Sequence, residues 1–442
     1  MPDRAFVLAA LVVAVALAGP AWAQPAPVLR LTLEDVQARA AAASHRLAEA
    51  RSREVAARAG VAISRSAGLP SVAALAGYTR TNHVVEFSVP SPSGPPRVLY
   101  PDVPDNYSSR LDLQWPIYSG GRQQALERAA AAEAGAAGAD VAAARADLRL
   151  EVARAFWALV TARATVDVLE QGVARSQAHV RDVSLQFDAG LVPPNEIASA
   201  EAQESRSRML AIEARNQRDA ASADLARLVG VDLSQPIEPL AALDIPGATP
   251  AAVEALLADA SAARQERRSM ELRIEAAGER RVAASAGRMP TVAVAGGVDY
   301  ARPNPRIFPR EDRWKESWDA GVSVRLPLWD GGRTGAETAR ADAEIEVARS
   351  RLAEFDSLLG LDIRQRVLDI ESGRAAVAAA TDAVRAATEA RRVVDERFRA
   401  GVLSQIEVLD AELALLQAEL DRTRALAGVR LAEARLDRTL GR

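Results

Sequence analysis

The chain carries one plan twice, and this duplication limits its possible folds more than any other feature. The segment SRLDLQWPIYSGGRQQALERA, starting at Ser109, is answered by DAGVSVRLPLWDGGRTGAETA, starting at Asp319. Pro116 pairs with Pro327, Gly121 with Gly332, Phe187 with Phe398, Gly190 with Gly401 and Gly230 with Gly441, each pair 211 residues apart. LPSVAALAGYTR from Leu69 matches MPTVAVAGGVDYAR from Met289 at an offset of 220, so the first copy carries nine extra residues between Pro70 and Pro116. One architectural unit used twice divides the chain into a first repeat over 24–230, a linker over 231–250 and a second repeat over 251–442.

Each repeat switches between two hydrophobic periods. Thr32 to about Ala67 reads as a helix, with Thr32 as cap and Asp35 three positions on, and Leu69-Pro70 stops it. Strands are predicted over 71–82 and 108–118, separated by a Pro/Ser/Gly-rich loop over about 88–106. In the second of them Leu111, Leu113, Trp115 and Ile117 alternate with Arg110, Asp112 and Gln114, a clear period of two. Gly120-Gly121 then begins a proline-free helix over 120–189, about 100 Å long at 1.5 Å per residue. Its apolar stripe is Leu148, Val152, Ala155, Phe156, Leu159 and Val160. Gly190 ends it, and Pro193-Pro194 opens a helix over 193–229.

The second repeat predicts a helix over 251–288, strands over 291–301 and 318–329, a long helix over 331–400 and a last helix over 404–440. The long helix carries Leu352, Phe355, Leu359, Ile363, Val367 and Ile370 as its seam. The last places Ile406, Leu409, Leu413, Leu416 and Leu420 at coiled-coil spacings.

Residues 1–23 read as a signal peptide: Arg4, the apolar run Phe6 to Ala18, then the small-residue motif Ala21-Trp22-Ala23. The run is shorter than the ~20 residues a membrane helix needs. An exported chain without cysteine must fold on packing alone, and it has no site for N-terminal Cys lipidation. Phe, Tyr and Trp make up only 4% of the residues while alanine abounds, which favours close helix-on-helix seams over one large aromatic core. A net charge of −4 with interspersed signs gives no footprint for nucleic acid.

Strands of about 9–12 residues with one apolar face match membrane-crossing β-strands. A bilayer tolerates no open sheet edge, so four strands cannot span alone. Closure then requires several copies, and three give twelve strands. Pro116 and Pro327 fall where strand hands over to helix, a place where a missing ladder donor is tolerable.

The paired junctions QWPIYSGGR and RLPLWDGGR, with the paired turns QFDAGLVPPNEI and RFRAGVLSQIEVLDAE, resemble the TolC-like outer-membrane factors from about Leu33 to Gly441. That resemblance implies a mixed α/β membrane protein, mostly α. Its homotrimer would form a twelve-stranded transmembrane β-barrel, continued by a long periplasmic α-helical barrel. It implies a passive exit channel of a tripartite efflux or type I secretion system, in the outer membrane and extending into the periplasm. The partners would be a periplasmic adaptor (membrane fusion) protein and an inner-membrane transporter of RND, ABC or MFS type. The chain ends soon after its last helix, so a belt around the helical barrel would be small, built from the N-terminal segment and the 231–250 linker.

By the same resemblance the helix turns far from the strands are the periplasmic tip. Gly190, Leu191, Val192, Gly401, Val402 and Leu403 would contact adaptor hairpins there, although both glycines also serve as helix caps. Glu407 and Asp410, three apart on one helix face, match the acidic ring that narrows the family's pore and favours cations. Their first-repeat counterparts are Glu196 and Ser199, so one ring would hold six carboxylates and the next three. Where relatives hold the entrance shut with an arginine and a tyrosine, this chain has Leu403 and Phe398, which points to apolar closure.

Nothing suggests catalysis. His45, His83 and His179 fall in different elements, no thiol is available, and the GLP, SGGR and DGGR runs lack phosphate-loop spacing. No cofactor or metal is expected. The alternative reading is a periplasmic coiled-coil adaptor or structural protein of an envelope complex, which should show one compact β-rich domain instead of two equivalent strand pairs. The transported substrate is not written in the chain.

Overall fold

A computed structural model describes residues 28–244 and 251–442; the leader expected over 1–23 and the last part of the linker lie outside the described residues. In chain order the elements are β1 (Leu29–Leu31), α1 (Leu33–Ala43), α2 (His45–Ser66), β2 (Ser71–Arg80), β3 (Phe87–Ser91), β4 (Gly94–Tyr100), β5 (Asp105–Tyr118), α3 (Arg122–Asp188) and α4 (Pro194–Val229). There follow β6 (Ile237–Pro239), α5 (Val253–Ala263), α6 (Gln265–Ser285), β7 (Thr291–Arg302), β8 (Lys315–Arg325), α7 (Arg333–Arg399) and α8 (Gln405–Thr439). α3 and α7 each run 67 residues without interruption. Among the described residues no helix is long and apolar enough to cross a membrane.

The chain divides into two compact units. One comprises residues up to 45, 145–262 and 361–442; the other comprises 46–144 and 263–360.

The first unit is built on helix seams and one small parallel pair, β1 with β6. Thr32 starts α1 with the expected capping box: its hydroxyl accepts from the Asp35 N–H at 3.2 Å, and the Asp35 carboxylate accepts from the Thr32 N–H at 3.1 Å. Phe156, Val152 and Leu159 on α3 pack with Val36 on α1, Leu225 and Val229 on α4, and Ile237 on β6. Gly230 caps α4 at φ 76°, and a Cβ there would lie 2.6 Å from the Ala43 Cβ. On α7, Ile363, Val367 and Ile370 are buried as the seam requires.

α8 also uses a second face inside the chain. Its buried apolar residues include Val408, Leu415, Leu416, Val429 and Leu436, whereas Ile406 and Leu413 stand exposed. The heptad stripe and the face used inside the chain coincide only around Leu416, leaving part of the stripe without an intrachain partner.

The second unit joins four helical segments to a four-stranded antiparallel sheet of order β2-β5-β7-β8. The segments pack through Ala125, Ala129, Ala132, Ala136, Ala276 and Ala283, so small side chains set a close seam. β5 pairs with β7 from Tyr107↔Arg302 to Tyr118↔Val292, which joins the two halves of the sequence in one sheet.

Three local features depart from the sequence reading. The helices expected over 32–67 and 251–288 are each broken, at Ser44 (φ −68°, ψ 114°) and Arg264 (φ −66°, ψ 115°), with no proline or glycine at either break. Each break falls close to where the chain leaves one compact unit for the other. The loop expected over 88–106 contains the hairpin β3-β4 despite Pro95 and Pro96. Both strands of an isolated pair are edges, where a missing N–H is tolerated. Pro116 lies inside β5 next to a register shift between Pro116 and Tyr118, whereas β8 stops at Arg325, before Pro327.

Candidate functional site

Two regions carry the features that bear on function: the sheet of the second unit and the helix turns of the first.

The sheet separates its side chains by chemistry. Paired residues of an antiparallel ladder share a face, which places Val72, Leu111, Leu113, Trp115, Val298, Val322 and Val324 together, all exposed. Trp318 on the same face is 76% exposed. From 72 to 78, 107 to 117, 292 to 300 and 318 to 324 this face holds no charged side chain. Aromatic rings gather at the loop end: Tyr78 lies 5.0 Å from Tyr107, and Trp314 stacks on Tyr300 at 4.9 Å. Trp115 and Tyr118 sit toward the helix end. Tyr107 to Trp115 spans eight steps, about 26 Å along the strand before any tilt, comparable with the ~25 Å apolar band of an outer-membrane barrel. The opposite face holds Arg110, Asp112, Asp299 and Asp319. Among the described residues β2 and β8 each have only one strand neighbour, so both edges of the sheet are open.

The two helix turns share one geometry. At the end of α3 the Gly190 N–H donates to the Phe187 carbonyl (2.8 Å) and the Leu191 N–H to the Gln186 carbonyl (2.8 Å). At the end of α7 the Gly401 N–H donates to Phe398 (2.9 Å) and the Val402 N–H to Arg397 (3.0 Å). These are Schellman closures, and the φ values of 74° and 72° require glycine. No atom lies within 4 Å of a Cβ built at either glycine, so the requirement is conformational rather than steric. Leu191 and Val402 project from the turns, while Val192 and Leu403 are half-buried.

Beneath the turns Phe398 is buried with Val183, Ala200 and Val408, flanked by Val192 and Ile197. α3, α4, α7 and α8 thus meet in one apolar plug. The first turns of α4 and α8 lie side by side, because Gln405 Nε2 donates to the Glu196 carbonyl at 3.0 Å. Glu407 and Asp410 are exposed on α8, and Glu196 is half-buried. Ser199 is exposed but turns its hydroxyl onto its own helix, donating to the Asn195 carbonyl at 3.0 Å.

Sequence reasoning missed a polar layer just inside this plug. His179 is buried with its ring 5.4 Å from Phe398, and its Nε2 has no hydrogen-bond partner among the described residues. Burial lowers its pKa, with Asp182 and Asp395 opposing and Arg391 reinforcing the shift. On α8 Glu412 is also buried; desolvation raises its pKa, against the pull of Arg391 at 3.7 Å. Arg391 also meets Asp395 (3.2 Å), and Arg175 meets Glu419 (2.8 Å). Gln405 was missed as well. A polar residue at a position buried inside the chain is the signal, but the heptad reading assigned the seam to other positions.

An exposed apolar band on a charged-backed sheet, together with long helical hairpins, is the make-up of a membrane transport protein. Comparison with known proteins agrees. The profile of the outer membrane efflux protein family matches residues 36–231 and 256–442, and the chain belongs to that family of TolC-like channels. Protein CyaE of Bordetella pertussis is 29% identical over 332 residues, covering 72% of this chain and 68% of that protein. Outer membrane protein TolC of Vibrio cholerae is 23% identical, covering 86% and 84%. Among solved structures, the outer membrane protein VceC of Vibrio cholerae superposes with a TM-score of 0.75 at 21% identity, covering 92% of this chain and 96% of that one. The chain is accordingly a non-catalytic exit channel of tripartite export systems, located in the outer membrane and extending into the periplasm.

Proposed function

We propose that three copies close their four-stranded sheets into one twelve-stranded barrel, and that their hairpins assemble into a helical barrel in the periplasm. The supporting observation is the open sheet. A bilayer leaves no unpaired backbone edge, yet β2 and β8 present free edges beside an uncharged apolar face. The duplicated plan supports the same reading, since each repeat supplies one strand pair and one hairpin to a quasi-symmetric wall. The exposed heptad residues Ile406 and Leu413 are then seam residues between neighbouring hairpins.

At the periplasmic tip, Gly190, Leu191, Val192, Gly401, Val402 and Leu403 form the docking surface for a periplasmic adaptor, itself coupled to an inner-membrane transporter of RND, ABC or MFS type. Glu407, Asp410 and Glu196 supply the carboxylates of the pore constriction, with Ser199 beside them. Phe398 and Leu403 hold the entrance by apolar packing. Support for this comes from the exposed aliphatic turns and from the burial of Phe398 at the junction of four helices.

The test is assembly and conduction of the purified full chain. It should fractionate with outer membranes, run as a trimer on a semi-native gel and form channels in planar bilayers. Asp410→Ala should raise single-channel conductance and weaken cation preference. A stable, water-soluble monomer in the absence of detergent refutes the assembly, and an unchanged Asp410→Ala record refutes the pore ring.

A further inference from the structure

We propose that Arg110 sets the ion preference of the barrel lumen, by neutralising carboxylates that the strands would otherwise present there. The proposal rests on the closed-barrel reading, in which the face opposite the apolar band lines the lumen.

Arg110 lies on that face of β5 and reaches three carboxylates on three strands. Its Nη1 lies 2.7 Å from Asp299 Oδ2 on β7 and 2.9 Å from Asp319 Oδ1 on β8, and its Nε donates to Asp112 Oδ1 on its own strand at 3.0 Å. Arg306, from the β7–β8 loop, places Nη2 2.7 Å from the same Asp319 oxygen. Exposed ion pairs usually form and break freely and carry little weight. This one is seated. A Cβ at Gly297 would lie 2.6 Å from Arg110 Nη2 and 2.8 Å from the Leu111 carbonyl, so the guanidinium lies across β7 where only glycine leaves room.

The charge count follows. Two guanidinium groups against three carboxylates leave one negative charge per subunit, or three around a trimeric lumen. Without Arg110 the cluster carries two per subunit, or six in all. Rings of fixed charge govern whether cations or anions pass, and lumen-facing substitutions in a barrel alter selectivity without exposing charge to lipid.

The experiment measures reversal potentials of the full-length trimer in planar bilayers under a KCl gradient. It uses a Glu196→Gln/Glu407→Gln/Asp410→Asn background, so that tip carboxylates do not mask the barrel. Arg110→Gln should raise the cation-to-anion permeability ratio by up to about twofold, following the doubled negative charge of this cluster, with Lys315 and Arg325 on the same face left unchanged. Asp319→Asn should move it the other way, and Arg110→Lys should stay near the parent. If Arg110→Gln does not assemble, Asp319→Asn and Asp299→Asn decide alone, both being expected to shift toward anions. Conducting trimers in which these variants keep the parent's reversal potential would overturn the proposal. Absence of any channel from the unsubstituted protein would instead overturn the barrel reading, and this proposal with it.

Discussion

Replacing Phe398 by alanine separates what burial does at the tip from what sequence equivalence suggests. Phe398 and Phe187 occupy corresponding places, each three residues before a Schellman glycine. Their surroundings differ: Phe398 is 4% exposed against Val183, Ala200 and Val408, whereas Phe187 is 38% exposed. Removing a buried phenylalanine ring costs about 3–5 kcal/mol. Phe398 stands one residue from the end of α7, where the chain can relax, so the lower figure applies. About 3 kcal/mol corresponds to an increase on the order of 100-fold in local opening of the α7–α8 hairpin. Phe187→Ala should cost about 1 kcal/mol or less, because little apolar surface leaves a packed environment. Hydrogen exchange of amides around 394–410 reads the opening directly, and single-channel conductance reads its effect on the pore. Equal effects of the two substitutions, or unchanged exchange in a folded Phe398→Ala trimer, would refute the reasoning.

Acidity should loosen the same region. His179 is held neutral by burial, so the packed state binds fewer protons than an opened one, and its stabilising effect fades as pH falls below about 6.5. His179→Gln should flatten tip exchange rates between about pH 7 and 5; a profile identical to wild type rejects this role. Glu412 has the opposite sign: its raised pKa favours the packed state as pH falls toward about 4.5, and Glu412→Gln should remove that gain in the same exchange assay. On the sheet, Trp318→Arg should cost about 2–4 kcal/mol of barrel stability in lipid, whereas Ser323→Arg on the other face should be tolerated; heat-modifiability of the trimer on gels distinguishes them. Among the glycines, Gly190→Ala should lower stability by only about 1 kcal/mol, a backbone cost. Gly230→Ala should cost clearly more, since its Cβ would strike Ala43, and thermal unfolding ranks the two.

Much of the architecture was legible because it depends on periodicity. The alternation of Leu111, Leu113 and Trp115 against Arg110 and Asp112 identifies both a strand and its apolar face. The lack of proline over α3 and α7, with a glycine after each, delimits long helices. The helix turns were legible by position, since Gly190 and Gly401 follow the two long helices and take the positive φ that closes them. The breaks at Ser44 and Arg264 were not legible, because they contain no breaker and fall where the chain passes from one compact unit to the other. The β3-β4 hairpin was hidden by its prolines, which an unshared strand edge accommodates.

The sequence by itself determined the repeated plan, the alternation of strand and helix, and the chemistry of each strand face, because local geometry forces side chains to one side or the other. Only the tertiary structure decided which residues meet. It buried Phe398 and exposed Phe187 although their sequence surroundings match. It placed His179 and Glu412 in a shared interior, and laid Arg110 across Gly297 to join three carboxylates. Such contacts bring together residues more than 200 positions apart, and no local pattern encodes a distance of that kind.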